Sequence, residues 1–257
     1  MKSLFDDISE IKKQIGKPGG AVLLLDFDGV LSDIAPTPDE AIISETAKRA
    51  LSACAKKFPV VVISGRSLAD VKKKVSLENI SYSGNHGLEW QAFGEIPFSA
   101  TPRPESILAA TTFKEKLSTI FERFPGTFLE DKTLSMAIHY RKLDPFKVPS
   151  FTRETLRAAR LCAKSGNFLI EHNKKTIELR PNDTWDKGKI SLFFLEKLGS
   201  DKLPIYIGDS LTDEDAFLAL KNIGLTIRVG KKKNSAAKYY LKNRAEVDKF
   251  LQWLTCL

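Results

Sequence analysis

Five apolar runs of strand length set the frame of this chain: AVLLLDFDG at 21 to 29, PVVVISGR at 59 to 66, ISYSGNHG at 80 to 87, PIYIGDS at 204 to 210 and LTIRVG at 225 to 230. They lack the polar alternation of a strand with one wet face, as expected of strands buried on both faces of a parallel sheet. Each runs into a turn or polar signal, and helical spacing follows. Leu68, Val71 and Val75 come after the second run, Ile190, Phe193, Phe194 and Lys197 after Lys187, and Phe217, Leu218 and Leu220 after the fourth. Strand, loop and helix in repetition predict an α/β fold with a doubly wound, Rossmann-like parallel sheet, whose ligands bind at the carboxyl ends of the strands.

The stretch from 103 to 174 reads differently. It holds a helix (Leu117, Ile120, Phe121, Phe124), the alternating strands TFLEDK and TLSMAIHYR, a second helix near 151 to 164, and two more strands, NFLIEHN and KKTIELRP. Alternation suits an antiparallel sheet with helices on one face. The expected organisation is an α+β cap at 103–174 inserted into a core formed by 1–102 and 175–257.

At 257 residues and 42% hydrophobic the chain can bury real cores without staples. Its three cysteines, Cys54, Cys162 and Cys256, are odd in number and far apart, which argues against a disulfide framework or a Cys-rich zinc site. Cys54 follows Ala47, Ala50 and Leu51 at helical spacing and reads as a core thiol. The net charge of +8 is compatible with nucleic acid, a membrane surface or an anionic small substrate. Lysines cluster at 72 to 74 and 231 to 233 without interleaved aromatics, so they read as solvated faces. The start, MKSLFDDISEIKK, lacks a secretory apolar core, and no apolar run approaches the ~20 residues of a membrane span. The expectation is a cytoplasmic monomer that acts on a small molecule, with neither a nucleic acid nor a membrane as partner.

The strongest chemical signal is LLLDFDGVL, where Asp26 and Asp28 stand at the end of a buried strand and Gly29 permits a sharp turn. Aspartates beside glycine are also ordinary turn residues. Here they do not stand alone: SGR at 64 to 66, DKG at 186 to 188 and GDSLTDED at 208 to 215 all fall in loops after strands or at helix starts. In a doubly wound fold such loops share one edge.

This order of motifs resembles the haloacid dehalogenase superfamily of phosphatases. The resemblance implies that Asp26 attacks phosphorus and forms an aspartyl-phosphate. Asp28 would protonate the departing oxygen and later activate water, since a group that gives a proton on the way in can take one on the way out. Ser64 and Lys187 would grip the transferring phosphoryl group. The resemblance also implies Mg2+ held by the Asp26 side chain, the Asp28 carbonyl and Asp209, with Asp213 orienting the ligands. A hard ion with oxygen ligands suits this set, and the sequence has no His/Cys cluster for zinc.

Within that superfamily GNHG (84 to 87), ELRP (178 to 181), WDKGK (185 to 189) and TDEDAF (212 to 217) resemble the trehalose-6-phosphate phosphatase family, which implies a phosphorylated disaccharide as substrate. The family often has a second Asp where Ser210 stands. Alternation in the insert places Leu134, Met136, Ile138 and Tyr140 on one face and His139 and Arg141 on the other; Ile177 and Leu179 oppose Thr176, Glu178 and Arg180, and Glu130 and Lys132 share a face. By the resemblance Glu130, Lys132, Arg141 and Glu178 contact the sugar. Asn85 and His86, in a strand-end loop, read as substrate-facing. Arg66 meets either the phosphate or a neighbouring carboxylate, and Trp90, Trp185 and Trp253 read as packing residues. The competing readings are a phosphatase for sucrose phosphate or mannosyl-phosphoglycerate, and a non-catalytic sugar-phosphate binder.

Overall fold

The computed structural model describes residues 1–173, 175–182 and 185–257. The elements in chain order are β1 (Lys2–Ser3), α1 (Ile8–Ile15), β2 (Ala21–Leu25), α2 (Glu45–Cys54), β3 (Val60–Ile63), α3 (Leu68–Val75), β4 (Ser81–Gly84), β5 (Glu89–Gln91) and β6 (Phe98–Ser99). There follow α4 (Pro104–Arg123), β7 (Phe128–Asp131), β8 (Met136–His139), α5 (Val148–Gly166), β9 (Phe168–Asn173) and β10 (Thr176–Pro181). The chain then forms α6 (Lys187–Leu198), β11 (Leu203–Gly208), α7 (Asp213–Ala219), β12 (Leu225–Val229), β13 (Tyr239–Leu241) and α8 (Arg244–Thr255). They divide into two units: Met1–Ser99 with Trp185–Leu257, and Ala100–Thr184.

The first unit is a sheet in the order β1-β13-β12-β11-β2-β3-β4-β5-β6. It is parallel from β1 to β4, and β5 and β6 continue it antiparallel. Alternate residues of one strand serve opposite cores, which is why the apolar runs are continuous. Leu23 and Leu25 of β2 pack with residues of α1, α2, α3 and α8, whereas Val22 and Leu24 pack with Ile190 and Phe194 of α6 and Phe217 of α7. All five predicted strands are present. Cys54 lies in the first of these cores, its thiol pushed up to about 12 by burial. No helix among the described residues is long and apolar enough to cross a membrane.

The second unit is an antiparallel sheet in the order β7-β8-β10-β9. Met136, Ile138, Ile177 and Leu179 on one face pack against Phe113, Leu117 and Ile120 of α4 and Phe151, Ala159 and Cys162 of α5. The chain divides later than the boundary expected at 174 and 175. β10 hydrogen-bonds to both β8 and β9, so a core resuming at 175 would cut through the sheet, and the unit runs on to Thr184. Lys174, at the expected boundary, lies outside the described residues.

Phe151 anchors the second unit: it is fully buried, edge-on to Phe124 at 5.4 Å and 5.6 Å from the Tyr140 ring. Phe151→Ala is expected to destabilise by about 3–5 kcal/mol, the scale of a deleted core aromatic. Hydrogen exchange should show protection lost in 100–182 while β2 and β3 keep theirs.

Candidate active site

β2 ends where Asp26 N donates to Ile207 O at 2.9 Å, the last backbone link to β11. The chain then turns sharply: Val30, Leu31 and Ser32 all donate to Phe27 O. Gly29 makes this possible. Its φ is +77°, and a Cβ there would fall 2.2 Å from Asp209 Oδ2, so only glycine lets the two loops close on each other. Asp26 is buried, with Oδ1 accepting Phe27 N at 2.7 Å.

Lys187 reaches Asp26 from α6. Asp186 caps that helix, its side chain accepting Lys189 N, and Lys187 opens the first turn. The buried Lys187 Nζ lies 2.8 Å from Asp26 Oδ2 and 2.8 Å from Asp213 Oδ1. Burial opposes its charge, but Asp213 and Asp26 more than offset that and raise its affinity for the proton. Asp213 is buried among donors. Lys187 and Tyr206 OH give to Oδ1 at 2.8 Å each; Asp209 N, Ser210 N and Ser210 Oγ give to Oδ2 at 3.0, 2.8 and 2.6 Å. Burial favours its neutral form, yet Lys187 and these donors hold it well below the usual carboxylate range. Gly208 permits the close fit, since a Cβ there would lie 2.3 Å from Asp213 Cγ.

Asp26, Asp209 and Asp213 each place a carboxylate oxygen within 4.8 Å of the others. Burial pushes Asp26 well up, helped by the Asp213 charge, and burial with Asp213 pushes Asp209 to about 7. A hard divalent cation fits this set: the donors are all carboxylate oxygens, and their mutual repulsion is what such an ion offsets. Asp213, already serving five donors, is built to orient its neighbours, while Asp26 and Asp209 are the candidates to ligate directly.

On the neighbouring strands, Ser64 is fully buried at the end of β3 with Oγ accepting Arg66 N at 3.2 Å. Of the two partners open to Arg66 the structure places carboxylates: Nε and Nη2 donate to the two oxygens of Asp28 at 2.7 and 2.8 Å, and Nη1 to Asp70 at 2.7 Å. The guanidinium also lies over the Phe27 ring at 5.3 Å. Arg66 thus fixes the direction of the Asp28 side chain. Asn85 and His86 are buried, both with positive φ (47° and 57°), and their N–H groups donate to Arg66 O and Ser64 O. They tie the loop after β4 to the loop after β3. Gly65 lets the His86 ring come close, for a Cβ there would meet it at 2.7 Å.

In the insert, Glu130 Oε2 lies 2.8 Å from His139 Nε2, and Lys132 donates to Glu178 at 2.7 Å. Both pairs are on the sheet face away from α4 and α5, and the His139 ring stacks on Phe128 at 4.7 Å. Arg141 departs from its expected place. β8 ends at His139, so Arg141 lies exposed in the following turn rather than on that face.

Several site residues escape the motif reading. Asp70 and Glu89 are two: Glu89 accepts the Asn85 amide and the Leu68 N–H that begins α3. Arg228 is a third. It is buried, pairs with Glu214 at 3.1 Å, and donates to the backbone carbonyls of Asp209 and Ser210, so it pins the loop that carries Asp209. The signal for it was a charged residue inside an apolar strand.

The family model described as Trehalose-phosphatase matches residues 24–245. Among curated relatives the chain is similar to probable trehalose-phosphate phosphatase 4 of Oryza sativa subsp. japonica, 34% identical over 259 residues, covering 97% of this chain and 68% of that protein. It is equally similar, at 34% over 258 residues, to the uncharacterized glycosyl hydrolase Rv2006 of Mycobacterium tuberculosis, where it covers 96% of itself but spans only 19% of the relative. Among solved structures it is similar to the trehalose-6-phosphate phosphatase C-terminal domain of C. albicans, with TM-score 0.77, 25% identity and 92% of each chain covered. An Aspergillus fumigatus trehalose-6-phosphate phosphatase follows, with TM-score 0.67, 26% identity, and 100% and 99% of the two chains covered. With a fold of this kind, aspartates gathered at one sheet edge and a match over most of its length, the chain belongs to the trehalose-phosphatase family.

Proposed function

We propose that this chain hydrolyses trehalose 6-phosphate to trehalose and phosphate through an aspartyl-phosphate on Asp26, with Mg2+ as cofactor. The observation that carries the reading is the meeting of the buried Asp26, Lys187 and Asp213 with the half-buried Asp209 in one group beside the Asp28–Arg66 pair. In this reading Asp26 Oδ attacks phosphorus as the sugar oxygen leaves, and Asp28 gives that oxygen its proton. Asp28 then takes a proton from the water that cleaves the acyl phosphate. Ser64 and Lys187 bind the phosphoryl oxygens. Arg66 keeps Asp28 aimed, and Asn85 and His86 support the loop that carries Ser64. Asp26 and Asp209, with the Asp28 carbonyl, would hold Mg2+, which supplies charge to offset that of the incoming phosphate. Glu130, Lys132 and Glu178 would bind sugar hydroxyls, which both donate and accept. A reducing, cytoplasmic setting is part of the proposal, supported by three free cysteines, two of them buried.

A panel of phosphorylated sugars, assayed for phosphate release with Mg2+ and again with chelator, tests reaction, cofactor and substrate together. Trehalose 6-phosphate should be preferred, and preference for sucrose phosphate or mannosyl-phosphoglycerate would reassign the sugar. In the same assay Asp26→Asn, nearly isosteric but a poor nucleophile, should abolish turnover of every substrate while circular dichroism stays unchanged.

Asp28→Asn should lower turnover of the sugar phosphate by roughly 10²- to 10⁴-fold, the usual scale of general acid-base catalysis. An aryl phosphate, whose leaving group needs no proton, should lose much less. Equal losses would reduce Asp28 to a structural role.

Mg2+ binding should weaken as pH falls. Asp209 is raised to about 7, so its carboxyl carries a proton below that pH in the ion-free protein, and the ion must displace it. The raised value also means that the stability contributed by the neutral acid is lost as pH rises from about 4 towards 7. Titration calorimetry should therefore show affinity dropping by up to about tenfold per pH unit between about pH 7 and 6, with proton release on binding.

A further inference from the structure

Lys231, Lys232 and Lys233, a solvated face by sequence, are exposed at the start of the crossover from β12 to β13. β2, β11 and β12 run parallel and side by side, so this crossover leaves the sheet on the edge that carries Asp26 and Asp209. β12 lies two strand spacings from β2, about 10 Å. The crossover is fastened where it leaves and along its return. Gly230 N donates to Leu241 O at 2.8 Å, Ala236 N to Glu214 Oε2 at 2.8 Å and Lys238 N to Thr226 Oγ1 at 3.0 Å, and Ala237 is buried in the core that holds Phe217 of α7. Glu214 also pairs with Arg228, which donates to the carbonyls of Asp209 and Ser210. The lysine tip is therefore tied to the loop that bears Asp209.

The charge of that tip is uncommitted. Lys231 Nζ lies over the Tyr240 ring at 5.4 Å, and Lys232 and Lys233 pair with no carboxylate among the described residues. Inside the site the cations are spoken for: Lys187 by Asp26 and Asp213, Arg66 by Asp28 and Asp70, Arg228 by Glu214. A phosphate dianion nearing Asp26 thus approaches carboxylates whose own cations are already paired, and like charges repel over many ångströms. Free positive charge on the same edge counters that repulsion at long range.

We infer that Lys232 and Lys233 form an anion-recruiting tip that draws phosphate dianions to the Asp26 edge before any contact with the sugar. The inference rests on the phosphatase reading above and adds a step ahead of the chemistry. Because the tip acts on charge, it serves any phosphate monoester and takes no part in choosing the sugar.

The test compares two double variants that remove the same net charge from opposite edges of the sheet. Lys232→Gln with Lys233→Gln strips the tip. Lys17→Gln with Lys56→Gln removes two exposed lysines that shortly precede β2 and β3, at the amino edge. At about 10 mM salt, where the screening length is about 30 Å, the tip variant should lose roughly three- to tenfold in kcat/KM, on trehalose 6-phosphate and an aryl phosphate alike, with kcat unchanged. At about 1 M salt, where that length is about 3 Å, the loss should vanish. The amino-edge variant should match the unsubstituted protein at both. Lys232→Glu with Lys233→Glu should double the effect on a logarithmic scale, since the change of charge doubles. Calorimetry with inorganic phosphate on the Mg2+-loaded protein reads the same attraction without turnover, and Kd should rise in the tip variant by the same factor at low salt. Equal losses at both edges would overturn the inference, as would a loss that survives 1 M salt, or an unchanged kcat/KM and phosphate Kd in the tip variant. Failure of the unsubstituted protein to release phosphate from any substrate would instead sink the proposed function, and the phosphate Kd would then decide the role of the tip by itself.

Discussion

The candidate site depends on one buried ammonium group. Lys187 Nζ lies 2.8 Å from both Asp26 and Asp213, and among the described residues it is the one cation paired with either. Ion pairs this deep gain little net stability, because desolvating the partners consumes most of the attraction. What they provide is direction. Each carboxylate is held by a donor it cannot abandon without leaving a charge stranded. Arg228 is paired with Glu214, so among the described residues Lys187 is the cation in direct contact with the carboxylate group of Asp26, Asp209 and Asp213, through the first and the last. With all three ionised the group would carry an excess of negative charge that a divalent ion is suited to offset. Burial, and then the Asp213 charge, make Asp209 and Asp26 cling to protons, while Asp213, saturated with donors, does not.

Around that centre the geometry is backbone work. Asp26 sits where β2 still pairs with β11, Ser64 where β3 pairs with β4, and the 85–86 loop bonds back to 64 and 66. Three adjacent strands thus deliver their ends to one edge at fixed spacing. The side chains inherit positions that loops alone would not hold, and close approaches at Gly29 and Gly208 bring Asp209 and Asp213 into reach. Arg66 adds a long-range clamp, joining the loop after β3 to Asp28 after β2.

Much of this was legible in the sequence, for a physical reason: strands covered on both faces carry long apolar runs, so β2, β3 and β11 announce themselves, while β4 and β12 were read from shorter runs that include the buried polar residues Ser81, Ser83, Thr226 and Arg228. The edge strands β1 and β6, and their neighbours β13 and β5, did not announce themselves. Segments such as Lys2–Ser3 and Phe98–Ser99 have no pattern of their own and are strands only because a neighbour pairs with them. The end of the insert was misplaced because TIELRP alternates in a way that local reading cannot assign to one sheet or another; its partners β8 and β9 decide. Asp-x-Asp, Lys187 and Asp209 were visible as motifs. The partners of Arg66 were open, since sequence spacing does not say which way a long side chain turns, and Arg141 fell beyond the last residue of its strand.

The placement of the insert has a consequence for how the chain acquires its shape. β2 pairs with β11, Leu23 opposite Ile205, although the whole of the second unit is encoded between them. The insert closes only local loops, since its four strands and two helices are contiguous in sequence, and such contacts form early. The centre of the parallel sheet must wait for β11, β12 and β13 to leave the ribosome. Until then the apolar edge of β2 has one neighbour instead of two, a surface open to wrong partners. Nascent chains halted before residue 203 should therefore hold a finished insert beside an unfinished sheet, and order of synthesis, more than final stability, sets when Asp26 first meets Asp209.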